Sequence, residues 1–215
     1  MPSFASALPS AAVKCSLLLL TVMSGAVAEG QSPNELPCRT HAGLQWKIVG
    51  NDSRRVKSDE WCLTVGPAAI APIDSVGTEI HKIALVSWNV HVGGGSVEDL
   101  VAYVRALNSF GPDVGIILLL QEAFRAGENV PLQYPSHIKV PAAIRPRRPA
   151  PDLMESARQL SMSAIYIPSM RNGPSKPLLD GTTLREDRGN AILSTEPLSD
   201  FQAIELPLAN SAASP

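Results

Sequence analysis

Val114–Gly115–Ile116–Ile117–Leu118–Leu119–Leu120–Gln121 is an almost unbroken apolar run that stops at Glu122. A run of this length without helical spacing is the signature of a strand buried on both faces. Upstream, Ile83 to Val90 has the composition and length of another strand. Gly93–Gly94–Gly95 then breaks regular structure and allows close backbone approach. Ser96 is placed as an N-cap, with Asp99 in the third-residue position of a capping-box-like pattern. Val97, Leu100, Val101, Val104 and Leu107 follow at helical spacing, and Gly111–Pro112 ends the helix. Strand, helix and strand in this order predict a βαβ unit, so the two strands run parallel and end on one sheet edge. Asn89 and Glu122 are thereby expected at that same edge.

The rest of the chain frames this unit. With 215 residues, 45% of them apolar and 18% charged, it has the composition of one folded domain with a small appendage. A net charge of −2 gives no general attraction for a polyanion, so any nucleic-acid contact needs a local basic patch. Lys14, the apolar stretch Cys15 to Val27 and Ala26–Val27–Ala28 before Glu29 match the three parts of a secretory signal over residues 1–28. The apolar stretch is short of the ~20 residues that cross a bilayer, although an uncleaved anchor is the alternative. Beyond the signal the cysteines are Cys38 and Cys62, an even pair that in an exported chain forms one disulfide; two free thiols are the other possibility. Neither has His or Cys neighbours at zinc spacing. Asn51–Asp52–Ser53 is a glycosylation acceptor if the source is eukaryotic.

Residues 29–73 divide into a polar linker and a small cysteine-bearing module, with Trp46 and Trp61 available for packing, and 74–81 form a connector. After Arg125, Gly127 to Pro151 is expected to be a long Pro- and Arg-rich loop, Asp152 to Ser161 a short helix and Ala164 to Ile167 a strand. Arg171 to Asp187 reads as a further turn-rich loop. Asn190 to Ser194 and Phe201 to Leu206 read as strands joined through Glu196–Pro197–Leu198 in a hairpin-like turn. Arg145, Arg147 and Arg148 could meet a phosphate backbone, but they have no interleaved aromatic and the net charge gives no support, so a solvated loop is the favoured reading.

Magnesium takes hard oxygen ligands and needs only one or two carboxylates beside water and phosphate. Glu122 meets that need, and the neutral amide of Asn89 could orient a phosphate oxygen or a metal-bound water. Alone, Glu122 is an ordinary solvated carboxylate and Asn89 an ordinary turn residue; their meeting at one edge points to chemistry.

Ser87–Trp88–Asn89–Val90–His91, Pro112–Asp113–Val114 with Leu119–Leu120–Gln121–Glu122, and Arg188–Gly189–Asn190–Ala191–Ile192–Leu193–Ser194 occur in that order. In this the chain resembles the N-terminal part of the endonuclease/exonuclease/phosphatase superfamily, which includes deoxyribonuclease I-like enzymes and neutral sphingomyelinases. The resemblance covers Ile83 to Leu208. It implies an α/β fold, here a partial four-layer α/β sandwich over residues 82–208, with the N-terminal disulfide module outside it. It also implies hydrolysis of phosphodiester or phosphomonoester bonds with Mg2+ or Mn2+. Glu122 takes the place of the family's metal-binding carboxylate and Asn89 that of its active-site Asn, so both are candidate catalytic and metal-site residues. Asn190 falls in a motif that is mainly structural in the family, and His91 is placed to line the cleft or merely to pack.

The family's later Asp-x-Asn motif and Asp–His pair do not occur; Ser199–Asp200 is followed by Phe201. Residues 209–215 form a small-residue tail, and the chain is expected to be a truncated product. Two functions stay open. One is an exported phosphoesterase, secreted or periplasmic, with a phosphodiester substrate, nucleic acid among the candidates, and no membrane span once the signal is removed. The other is a non-catalytic exported fragment or binding module that retains the N-terminal motifs.

Overall fold

The computed structural model describes residues 36–39, 41, 43–48, 59–74, 80, 82–107, 114–138, 140, 152–173 and 185–205. The expected signal, the acceptor at Asn51, Arg145, Arg147, Arg148 and the tail lie outside these residues. The described part is mixed α/β and belongs to one unit, Asn34–Pro215. Its strands are β1 (Leu44–Ile48), β2 (Ala69–Ala71), β3 (Lys82–Asn89), β4 (Val114–Ala126), β5 (Ser163–Arg171), β6 (Glu186–Ser194) and β7 (Phe201–Glu205). Its helices include α1 (Val97–Ala106) and α2 (Leu153–Gln159).

The apolar run forms β4, which lies inside a five-stranded sheet of order β2-β5-β6-β4-β3. β3 and β4 pair in parallel from Lys82↔Val114 to Asn89↔Gln121, as the βαβ reading expects. β6 pairs antiparallel with both β4 and β5. One face of the sheet carries Ala84, Ile116, Leu118, Leu120, Tyr166, Ala191 and Leu193 into the main core. Val97, Val101 and Val104 of α1 and Leu153 and Ala157 of α2 close over that face. The Ser96 hydroxyl caps α1 by accepting from the Asp99 N–H at 3.0 Å, and it donates to the Glu98 carboxylate rather than to Asp99. Asp152 caps α2 with one oxygen and with the other accepts the N–H of Ala126, so the helix is fixed to the end of β4. Among the described residues no helix is long and apolar enough to cross a membrane.

The cysteine-bearing stretch supplies a strand to each of two sheets. β2 pairs with β5 at the edge of the main sheet, and β1 pairs in parallel with β7 in a two-stranded sheet. Leu44, Trp46, Phe201 and Ala203 of that second sheet pack on Ile70, Ile165 and Ile167, the face of the main sheet opposite the helices. Cys38 and Cys62 form the expected disulfide, fully buried with Val65, Leu36 and Trp61 around it and a Cα–Cα distance of 5.3 Å.

Two expectations are corrected. β6 and β7 are not a hairpin. Both edges of β6 are already taken by β4 and β5, so the chain leaves the sheet after Ser194 and β7 joins β1 instead. Nor is all of Arg171–Asp187 loop, because β5 continues to Arg171 and β6 begins at Glu186. Charged residues at those strand ends hide the strands from a pattern search, since Arg171 and Asp187 are buried.

Gly189 is required by strand packing. A Cβ there would lie 2.1 Å from the Ile167 carbonyl oxygen on β5, which is backbone and cannot swing away. Gly189→Ala should therefore cost about 2 kcal/mol, the range for overpacking a tight site, read as a lower midpoint in urea unfolding. An unchanged midpoint would refute the contact.

Candidate functional site

Asn89 ends β3, and the chain turns at once. The Asn89 Oδ1 accepts the His91 N–H at 2.9 Å, and His91, Val92 and Gly93 all have positive φ (51°, 56° and 73°). Two consecutive non-glycine residues in the left-handed region, one of them β-branched, constitute backbone strain of the kind that gathers at ligand sites. Gly95 accommodates the turn: a Cβ on it would meet the Trp88 indole at 2.1 Å, so the ring rests directly on the glycine backbone. His91 is exposed beside this turn. The Asn89 oxygen thus does the turn work that Asn commonly does, while its amide N–H groups and one oxygen lone pair are left to other partners.

Glu122 lies on the neighbouring strand, again with positive φ (52°). The ladder between β4 and β6 runs through Leu120↔Ala191 and resumes at Ala123↔Gly189. Gln121 and Glu122 together therefore oppose Asn190 alone, which is a β-bulge. Leu120 and Ala123 both enter the core although they are three apart, so the two residues between them lie on the opposite face. The bulge turns a carboxylate to the side of the sheet away from the helices. Asn89 is on the same side, opposite Gln121, and Asn190 and Arg188 alternate with core-facing Gly189 and Ala191 on β6. Gln121 is held by its Nε2, which donates to the Ser87 Oγ at 3.3 Å and to the Leu119 carbonyl. Glu122 is half-buried, and its carboxylate has no hydrogen-bond or ion-pair partner among the described residues.

Sequence reasoning singled out Asn89 and Glu122, and the parallel pairing sets Asn89, the last residue of β3, opposite Gln121. The expectation that the second strand ends at Glu122 is corrected, because β4 resumes its pairing at Ala123 and continues to Ala126. Sequence reasoning missed Arg188, the cation on that face of β6, whose Nη2 donates to the Met170 sulfur at 2.7 Å. The alternation in Arg188–Gly189–Asn190–Ala191 was the available signal.

Three residues beyond the bulge, β4 turns a second charge the other way, into the interior. The Arg125 guanidinium binds Asp187 through Nε at 2.9 Å and through Nη2, and it lies 4.5 Å from the centre of the Tyr166 ring. The Tyr166 hydroxyl donates to Asp187 at 2.7 Å and the Gly66 N–H at 2.9 Å, so four donors converge on one carboxylate that is 0% exposed. Burial would lower the Arg125 pKa, but the bond to Asp187 and its charge raise it above the ordinary value. For Tyr166, burial first and then the Asp187 charge hold the phenol well above its usual pKa, although Arg125 pulls it down. Because folding raises this pKa, its contribution to stability is complete below about pH 10 and is lost as pH rises through the folded-state value. Wild type should lose stability as pH rises beyond about 10, and Tyr166→Phe should lose less over the same rise. Parallel alkaline unfolding curves would exclude the phenol as the cause.

Among the described residues no group of three or more His, Cys, Asp or Glu side chains is placed to hold a metal. The donor set at Glu122 is one carboxylate with amides beside it. That fits the least demanding case, a magnesium-type cation that keeps its waters and shares phosphate with the protein. Compared with known proteins, the chain matches no family model, no curated protein and no solved structure.

Proposed function

We propose that this protein is an exported, divalent-cation-dependent phosphoesterase of the endonuclease/exonuclease/phosphatase type, acting on a phosphodiester with nucleic acid among its candidate substrates. The observation that carries the reading is the bulge on β4, where a strained backbone sets Glu122 on the face away from the core, the face that also carries Asn89. A strained, partnerless carboxylate beside an Asn-capped, strained turn is poorly explained by stability alone.

In this reading Glu122 holds Mg2+ or Mn2+, which when bound supplies a Lewis acid for the phosphoryl group and for water. Asn89 donates an amide N–H to a phosphate oxygen, and Arg188 adds positive charge on the same face. Hydrolysis adds water across the P–O bond, the hydroxyl going to phosphorus and a proton to the departing oxygen. A four-layer sandwich is supported by the β1–β7 sheet, which lies on the main sheet opposite the helices. It is also supported by Ile83, Leu85 and Ile192, exposed at 61%, 63% and 38% on that same face. Export is supported by the buried Cys38–Cys62 disulfide.

The test is hydrolysis of bis-p-nitrophenyl phosphate and nicking of plasmid DNA by the full chain. Activity should vanish with EDTA and return with Mg2+ or Mn2+. One observation favours the second reading, a non-catalytic binding module: no group of three or more His, Cys, Asp or Glu that could hold a metal occurs among the described residues. Folded protein with no cation-dependent hydrolysis would decide for it.

A further inference from the structure

We propose that Asn190 is a phosphate-binding residue, forming with Asn89 a pair of carboxamides that flank Glu122; this rests on the cation-dependent reading above. Asn is depleted from strands because its side chain competes for backbone hydrogen bonds. Asn190 nevertheless sits inside β6, which is paired on both sides, and forms a register pair with Ile167 on β5. Its side chain is exposed and has no hydrogen-bond partner among the described residues. Neither capping nor core packing accounts for it, and a residue that breaks a local rule without compensation points to a site.

Its position says which site. The residues opposite Asn190 on β4 are Gln121 and Glu122, and Asn89 lies opposite Gln121 on the next strand. Adjacent strands are ~4.8 Å apart, so Asn89, the bulge and Asn190 form a row about 10 Å long across three strands. A phosphate sharing a cation with Glu122 is then reached by an amide N–H from either side. Neutral donors suit this place, since a lysine there would pair with Glu122 and compete with the cation.

The test uses the full chain, Mn2+ as the probe cation followed by electron paramagnetic resonance, and inorganic phosphate titrated calorimetrically at saturating Mn2+. Asn190→Ala should keep Mn2+ affinity within about twofold and weaken phosphate about tenfold, the effect of one hydrogen bond to a charged group. Asn190→Asp should move the two readouts in opposite directions, tightening Mn2+ through a second carboxylate and repelling phosphate. Unchanged phosphate affinity in Asn190→Ala, loss of its fold, or unchanged Mn2+ affinity in Asn190→Asp overturns the proposal. Wild-type protein that binds no Mn2+ overturns instead the reading on which it rests.

Discussion

Replacing Asp187 with alanine should remove about 3–5 kcal/mol of stability, the usual result of taking one partner from a buried ion pair. That is a large part of the roughly 5–15 kcal/mol that holds a domain folded. The loss does not come from a strong net attraction, because desolvation offsets much of the Coulomb gain. It comes from what remains behind. Arg125 would keep its charge at 5% exposure, and the Tyr166 hydroxyl and the Gly66 N–H would each lose their acceptor. It follows that Arg125→Met with Asp187→Leu should lose less than Asp187→Ala alone, by the part due to the uncompensated Arg125 charge. The Tyr166 hydroxyl and the Gly66 N–H lack their acceptor in both. Urea unfolding of the three proteins checks this. A single substitution costing under about 1 kcal/mol, the level of a surface ion pair, would mean that water reaches the cluster.

The parts of the fold that were legible in the sequence are those whose signal is local. The period of Val97, Val101 and Val104, the Ser96 cap and the length of the apolar run are each properties of a short window, and α1 and β4 form accordingly. What escaped reading depends on a distant partner. β7 looks like the second strand of a hairpin until β4 and β5 are known to occupy both edges of β6. β1 is a strand because β7 is there to pair with it. Arg171 and Asp187 read as loop residues because charge normally marks the surface. Here each is buried by partners far along the chain, Thr64 and Leu132 carbonyls for Arg171 and Arg125 for Asp187.

The site was legible in the same uneven way. The βαβ rule, which needs no knowledge of side chains, set Asn89 beside the Gln121–Glu122 step but ended the second strand there, whereas β4 continues to Ala126. The bulge was not visible, since an extra residue in β4 exists only relative to the register of β6. Without it, Glu122 would fall on the core side with Leu120.

That bulge makes the second large effect separable from stability. Glu122→Gly should leave the fold intact and raise its stability by up to about 1 kcal/mol, because glycine adopts the φ of 52° that glutamate reaches only at a cost. The same change should reduce cation-dependent phosphodiester hydrolysis by about 100-fold or more, beyond the 10–100-fold typical of residues that merely support a metal ligand. Glu122→Gln keeps the backbone strain and removes the charge, so it should lose activity with no gain in stability. Thermal unfolding and hydrolysis rates on the three proteins resolve the two effects. If Glu122 were only a solvated carboxylate, Gln would change neither readout and Gly would change stability alone. Stability rising while activity falls in Glu122→Gly, with Gln losing activity only, is the pattern of a residue held in strain for its chemistry.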